Sequence, residues 1–430
     1  MALTEQGYTP RLIDSKIADM LAEFGAVLVE GPKWCGKTWT ALNHANSVIF
    51  IADPSGNFRN REMALHDPSL ILEGKPPLVI DEWQEVPGIW DAIRFTLDRN
   101  RGKGRFILTG SATPPKESYI HSGAGRIAKV RMRTMSLFES GDSSGSVSLT
   151  DLFTGSVLNP RGSSMTLDTI IALALRGGWP ALADRKQGPS IEKLEFPRQY
   201  LERIADSELS AIDGRSRNSS KVMAVIRSLA RNNATLVNNK TIQKDIDPEQ
   251  GESTANRNTV ALYLSLLKSI HVLEEIPGWD PGLRSTKRLR VSPKRILTDP
   301  SLAAAAIGAT AATLKRDLNT FGFIFEGLCI RDLSVYAEMF GASLFHYRDE
   351  SDLEADVIIE LPDGRWAAIE IKLGAHQIET AAANLLKLRE KMKKNDIPPP
   401  AFLAVINGLC GFAHQREDSV YVVPIDCLKP

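Results

Sequence analysis

The segment GPKWCGKT, residues 31–38, sets two glycines, a lysine and a hydroxyl at the spacing G-x-x-x-x-G-K-[ST]. Gly31 and Gly36 permit a tight loop whose backbone N–H groups turn inward on an anion. Lys37 can reach the β- and γ-phosphates of ATP as a point charge, and Thr38 can set its hydroxyl on Mg2+. Pro32, Lys33, Trp34 and Cys35 complete the cradle, and Trp34 is placed to touch a nucleotide or a partner. The loop follows the apolar run Ala26–Val29 and opens a helix, whose N-terminus adds positive partial charge. A second run, LVIDE (78–82), ends in two acids. Asp81 there can hold Mg2+ through water, and Glu82 can polarise a water that attacks the γ-phosphate.

A third run, FILTGSAT, ends in Thr109 and Ser111, which read either as sensors of the γ-phosphate or as an ordinary helix cap. Arg126, in SGAGRIAKVRMR, reads as an arginine finger, in cis or on a neighbouring subunit of a homo-oligomer, or as part of a solvated basic strand.

A second set of chemical residues lies near the C-terminus. EADVIIELPDGRWAAIEIKLG reads as two strands joined by a Pro-Asp-Gly turn. Side chains alternate between strand faces, so Ala368, Glu370 and Lys372 share one face while Asp356 opens the partner strand. Asp356 and Glu370 can hold Mg2+, Lys372 can activate a water, and Glu326 on the preceding helix can add a ligand. The alternative is a same-face ion pair of structural use only. Arg348 and Glu354 read either as helpers of this site or as a surface ion pair. The stretch LRSTKRLRVSPKR (283–295) carries Arg284, Lys287, Arg288, Arg290, Lys294 and Arg295 without an acid. It can neutralise DNA phosphates or be a solvated loop.

These residues must be held by several elements. Continuous apolar strands alternating with helices predict a parallel sheet with helices on both faces. The whole chain reads as a multidomain α/β protein: an ATPase domain over 1–138, a linker and helical region over 139–230, a winged-helix-like domain over 231–305 and an α/β domain over 306–430. Residues 139–165 are rich in Ser and Gly and read as a loop or flexible boundary. A length of 430 residues supports several cores, and a formal net charge of zero argues against a strongly basic nucleic-acid binder. The four cysteines lack CxxC spacing, which predicts neither disulfides nor a zinc site and suits the cytoplasm. No basic start followed by an apolar core marks a signal peptide, and no run reaches the roughly 20 apolar residues of a membrane span.

The order GPKWCGKT, IDEWQ, LTGSAT resembles the AAA-type branch of P-loop ATPases. Across most of its length the chain is similar to a bacterial and archaeal family in which such a domain is fused to a C-terminal domain of unknown function. The tail motifs FIFEGL, YRDESDLEADVII and AAIEIKLG extend that likeness. They also resemble the PD-(D/E)XK superfamily, restriction-endonuclease-like folds that include Holliday-junction resolvases. That resemblance implies a site of Glu326, Asp356, Glu370 and Lys372. The expected function is a Mg2+-dependent ATPase coupled to a nuclease-like domain that engages DNA. The alternative is an ATP-driven switch or protein-interaction module whose nuclease-like domain is inactive.

Overall fold

The computed structural model describes residues 3–4, 6–114, 120–155, 162–183, 195–212, 214–246, 257–282 and 291–430. Two units divide the chain. The first comprises Met1–Thr134, Glu208–Ser216 and Leu266–Val272, and the second comprises the rest.

In the first unit the short apolar runs become β1 (Ala26–Glu30), β2 (Ser47–Phe50), β3 (Leu78–Asp81), β4 (Phe106–Gly110) and β5 (Ile127–Arg131). They form one parallel sheet in the order β2-β3-β4-β1-β5. Four helices accompany them: α1 (Ile13–Glu23), α2 (Lys37–Asn43), α3 (Ser55–His66) and α4 (Gly88–Arg99). Alternate strand residues feed two cores. Leu28, Ile80 and Leu108 pack with Trp83, Trp90 and Ile93. Val27, Val79 and Ile107 pack with Ile13, Ile17 and Ala41. Both faces are therefore buried, which is why these runs are apolar without alternation. Because every strand points the same way, Glu30, Asp81, Gly110 and Arg131 end along one edge of the sheet, and Ala26 and Ile127 begin at the other.

The second unit opens with β6 (Val147–Ser148), α5 (Leu149–Thr154) and α6 (Leu167–Arg176). Next come α7 (Ser219–Arg231), α8 (Asn239–Ile246) and α9 (Arg257–Ser269), whose last turn belongs to the first unit. The antiparallel pair β7 (Leu273–Ile276) and β8 (Lys294–Leu297) follows. α10 (Pro300–Ala306) and the 22-residue α11 (Leu318–Met339) lead into a six-stranded sheet. Its strands are β9 (Ser343–Arg348), β10 (Glu354–Glu360), β11 (Trp366–Lys372), β12 (Phe402–Asn407), β13 (His414–Gln415) and β14 (Val420–Pro424). β9, β10 and β11 are antiparallel neighbours, whereas β11, β12 and β14 run parallel. α12 (Ile378–Lys394) supplies Ala381, Leu385 and Leu388 to a core with Ile358, Ala368 and Val405.

The Ser-rich segment 139–165 is not a simple loop where it is described. β15 (Leu428–Lys429) pairs with Val147 and Ser148 of β6. Ser143 Oγ donates to the Leu428 carbonyl at 2.6 Å, and Ser148 Oγ to the Pro430 carbonyl at 2.7 Å. The serine hydroxyls thus satisfy strand carbonyls that a short ladder leaves over. Residues 156–161 of this segment lie outside the described ones.

α11 carries a fully buried ion pair. Arg331 Nη2 lies 2.6 Å from Asp332 Oδ1, and Arg331 Nη1 lies 3.4 Å from Asp299 Oδ2. The second Asp332 oxygen accepts the Leu137 N–H at 3.0 Å, and Asp299 accepts the Gly178 N–H at 2.9 Å. Burial raises the Asp332 carboxyl above its usual range, with Arg331 opposing that shift. Removing one partner would strand the other charge in the core. Asp332→Ala is therefore expected to destabilise the second unit by about 3–5 kcal/mol, and Arg331→Met with Asp332→Leu and Asp299→Asn, which leaves no charge behind, by clearly less. Chemical denaturation of the single variant, the triple variant and the wild type measures this, and a single variant no worse than the triple one would refute it.

Candidate functional sites

The phosphate loop joins β1 to α2. Gly36, at the N-terminus of α2, has φ +102°, a left-handed backbone that favours glycine. At Gly31 a Cβ would meet the Met132 carbonyl oxygen at 2.2 Å, so no larger residue fits. Trp34 is also left-handed, at φ +66°, and 68% exposed. Lys37 is buried, and its ammonium donates to the Pro32 carbonyl at 2.9 Å, inside the loop it would share with a phosphate. Lys33 points to a different partner, with its Nζ 2.6 Å from Glu208 Oε2. The buried Arg11, a residue that the sequence did not single out, donates to the Cys35 carbonyl at 2.8 Å and the Arg133 carbonyl at 2.9 Å. It braces the loop from the chain's opening segment.

The acidic strand end is tied to this loop. Thr38 Oγ1 and Thr109 Oγ1 each donate to Asp81 Oδ1 at 2.7 Å. Thr109 Oγ1 also accepts the Glu82 N–H at 3.1 Å. The parallel register places all three strand ends together. Burial raises the Asp81 carboxyl, while Thr109 and Thr38 act to lower it. Glu82 has φ +56°, and its Oε2 accepts Ser111 Oγ at 2.8 Å and the Gln84 amide. Gln84 Nε2 also reaches Ser111 Oγ at 3.3 Å. Thr109 and Ser111 are thus set on the two acids. Gln84, two residues beyond Glu82 in IDEWQ, is a further member that sequence reasoning missed. A hydroxyl and a carboxylate, both hard oxygen donors side by side, fit Mg2+ that takes its other ligands from phosphates and water.

Arg126 is corrected as a finger in cis. It precedes β5, and its carbonyl accepts the Ala26 N–H, so it sits at the edge where the strands begin. The phosphate loop follows the other end of β1, roughly 13 Å of strand away. Its side chain is half exposed and bonded to Asp98 of α4. The β5 arginine at the loop's edge of the sheet is Arg131, the register partner of Glu30.

At the C-terminal site a bulge in β10 between Ala355 and Ile358 adds one residue against β9, at Asp356 and Val357. Asp356 Oδ2 accepts the Ile371 N–H of β11 at 2.8 Å and Lys372 Nζ at 3.1 Å. Lys372 Nζ lies 2.6 Å from Glu370 Oε2. These three residues do converge, as their spacing predicts. Glu326 joins them through a residue that the sequence reading placed elsewhere. Lys294 of β8 is buried, with its Nζ 2.5 Å from Glu326 Oε1 and 3.4 Å from Asp356 Oδ1. Burial acts to lower the lysine's pKa, but Glu326 and Asp356 outweigh it and hold the ammonium charged. Glu370 is raised by burial and then by Asp356, against the pull of Lys372. Glu370 Oε1 is buried without a hydrogen-bond partner.

The expected metal set of Glu326, Asp356 and Glu370 stands in ion pairs with Lys294 and Lys372. Among the described residues no three His, Cys, Asp or Glu side chains form a group able to hold a metal ion. The basic stretch is corrected. Lys294 and Arg295 are buried, and Arg295 Nε lies 3.1 Å from Glu275 Oε1, so neither faces a DNA backbone. Arg284, Lys287, Arg288 and Arg290 lie outside the described residues. Arg348 pairs on the surface with Asp352 at 2.8 Å and Glu354 at 3.8 Å.

Thr109 generates a test, because one hydroxyl fixes both acids. Thr109→Val keeps the shape and removes the bonds. ATP hydrolysis is expected to fall about tenfold or more with the protein still folded. An unchanged rate would show that the acids hold their places without it.

Residues 23–140 match a family described as AAA domain. Residues 167–313 match a domain of unknown function, DUF8612, and residues 321–428 another, DUF4143. Uncharacterized proteins of Mycobacterium tuberculosis and Mycobacterium bovis are each 24% identical over 348 residues, 80% of this chain and 70% of theirs. A solved structure, the Walker-type ATPase PABY2304 of Pyrococcus abyssi, is 13% identical. The match covers 71% of this chain and 97% of that one at a TM-score of 0.42. The match over residues 23–140 and the geometry around Lys37, Thr38 and Asp81 support a P-loop ATPase domain in the N-terminal region of this chain.

Proposed function

We propose that this chain is a Mg2+-dependent ATPase that hydrolyses ATP by in-line attack of water, and that hydrolysis drives a switch in which the C-terminal domain serves as a docking module. The observation that carries the first part is the bonded set Thr38–Asp81–Thr109–Glu82 beside the loop lysine. Gly31 through Gly36 would wrap the phosphates with backbone N–H groups, and Lys37 would leave the Pro32 carbonyl for the β- and γ-phosphates. Thr38 and Asp81 would hold Mg2+, which when bound neutralises charge on the phosphate oxygens. Glu82, steadied by Ser111 and Gln84, would orient the water and take its proton. A finger from Arg126 would have to act on a neighbouring subunit of a homo-oligomer.

That the C-terminal domain does not cut nucleic acid is supported by its cluster, where two ammoniums meet the carboxylates. The α7–α9 and β7–β8 order suits a winged helix, which binds DNA or protein. No helix of the described residues is long and apolar enough to cross a membrane. A second reading, a metal-dependent nuclease acting on DNA, is favoured by the close set of Asp356, Glu370 and Lys372.

Lys37→Ala is expected to abolish ATP binding. Glu82→Gln is expected to retain binding and lose about 100-fold or more in turnover. Calorimetry and phosphate release read these separately, and normal turnover in Glu82→Gln would remove Glu82 from its role. For the C-terminal domain, a panel of DNA and RNA substrates with Mg2+, with and without ATP, is expected to stay uncut. Cleavage by the wild type that disappears in Glu370→Ala would replace the docking reading with the nuclease.

A further inference from the structure

The C-terminal cluster holds more charge than a structural ion pair needs. Glu326 comes from α11, Asp356 from the bulged start of β10, Glu370 and Lys372 from β11, and Lys294 from β8. Lys294 contacts Asp356 twice, through the carboxylate at 3.4 Å and the backbone carbonyl at 3.3 Å, as well as Glu326 at 2.5 Å. Three oxygens from two acidic residues therefore surround one buried nitrogen, as they would surround a bound cation.

The approach of Lys294 is built into the fold. His346 of β9 bonds the Ser292 carbonyl through Nε2 at 3.0 Å, two residues before the lysine. The other arm of the β7–β8 hairpin is held to the same residue, with Trp279 N–H donating to the His346 carbonyl at 2.7 Å and His346 N–H to the Pro277 carbonyl at 3.0 Å. Both arms are thus anchored to the edge strand β9. Glu370 Oε1, buried and without a partner, is the second sign that the carboxylates are arranged for a cation that Lys372 alone does not satisfy.

We infer that Lys294 is the resident cation of the Glu326–Asp356–Glu370 cluster and that its ammonium excludes a divalent metal from it. An ammonium has no lone pair to offer a metal and repels it. A divalent ion in place of Lys294 would have to draw the proton from Glu326 and Glu370, both raised by burial and by Asp356; three carboxylates and Lys372 then leave a net charge of two minus, the complement of that ion. The inference concerns this cluster alone and stands or falls separately from ATP hydrolysis at Glu82.

The test is Mn2+ binding to the full chain without nucleotide, followed by electron paramagnetic resonance and calorimetry. The wild type is expected to show no site that depends on Asp356 at concentrations below about 1 mM. Lys294→Met is expected to gain one site at least about tenfold tighter than that limit, lost again when Asp356→Asn is added. A wild-type Mn2+ site that Asp356→Asn abolishes would overturn the inference, and this arm needs no Lys294 variant to fold. A folded Lys294→Met protein that binds no Mn2+ would overturn it as well, and would leave Lys294 as a structural ion-pair partner.

Discussion

A guanidinium cannot be buried alone, and much of the second unit is arranged around that constraint. Arg331 is 2% exposed and Asp299 and Asp332 are fully buried, so each must satisfy the others. The second Asp332 oxygen takes the Leu137 N–H, and the Asp299 oxygen that faces Arg331 also takes the Gly178 N–H, leaving the other to Ser301. One helix turn thereby fixes two loops far apart in sequence. Trp179 adds its indole N–H to Ser301 Oγ at 3.0 Å, which locks the same corner. The helix that anchors these charges also presents Glu326 to the C-terminal cluster, so structural and chemical burial share one element.

The first unit relies on direction instead. A parallel sheet gathers the C-terminal ends of its strands, and the loop, the two acids and their two hydroxyl partners all sit at such ends. Function there requires only that short apolar runs bury both faces and stop at the right residue. Asp81 shows the electrostatic cost of this position. Its carboxyl is raised by burial and kept in place by hydrogen bonds from two threonines.

The parts of the site that are local in sequence were legible. GPKWCGKT and LVIDE carry their own geometry, because a loop between strand and helix, and an acid at a strand end, are set by neighbouring residues. The convergence of Asp356, Glu370 and Lys372 followed from strand alternation across one turn. Lys294 did not follow. It lies 32 residues before Glu326 and 62 before Asp356, within a basic run that looks solvated, and only tertiary packing buries it. The cis reading of Arg126 failed for a topological reason, since spacing does not reveal at which edge of a sheet a strand begins. The serines of 139–165 carried a composition that signals loops, while their hydroxyls served a strand more than 250 residues away.

Trp34 has one more consequence. Its indole stands in the phosphate loop, 68% exposed and held in a left-handed turn between the two loop glycines. Any anion drawn into that loop changes the polarity and charge beside the ring. The chain thus contains its own optical probe of the nucleotide site. Changes in intrinsic emission on adding nucleotide, compared with a Trp34→Phe protein to subtract the other indoles, would follow occupancy and its kinetics without a label.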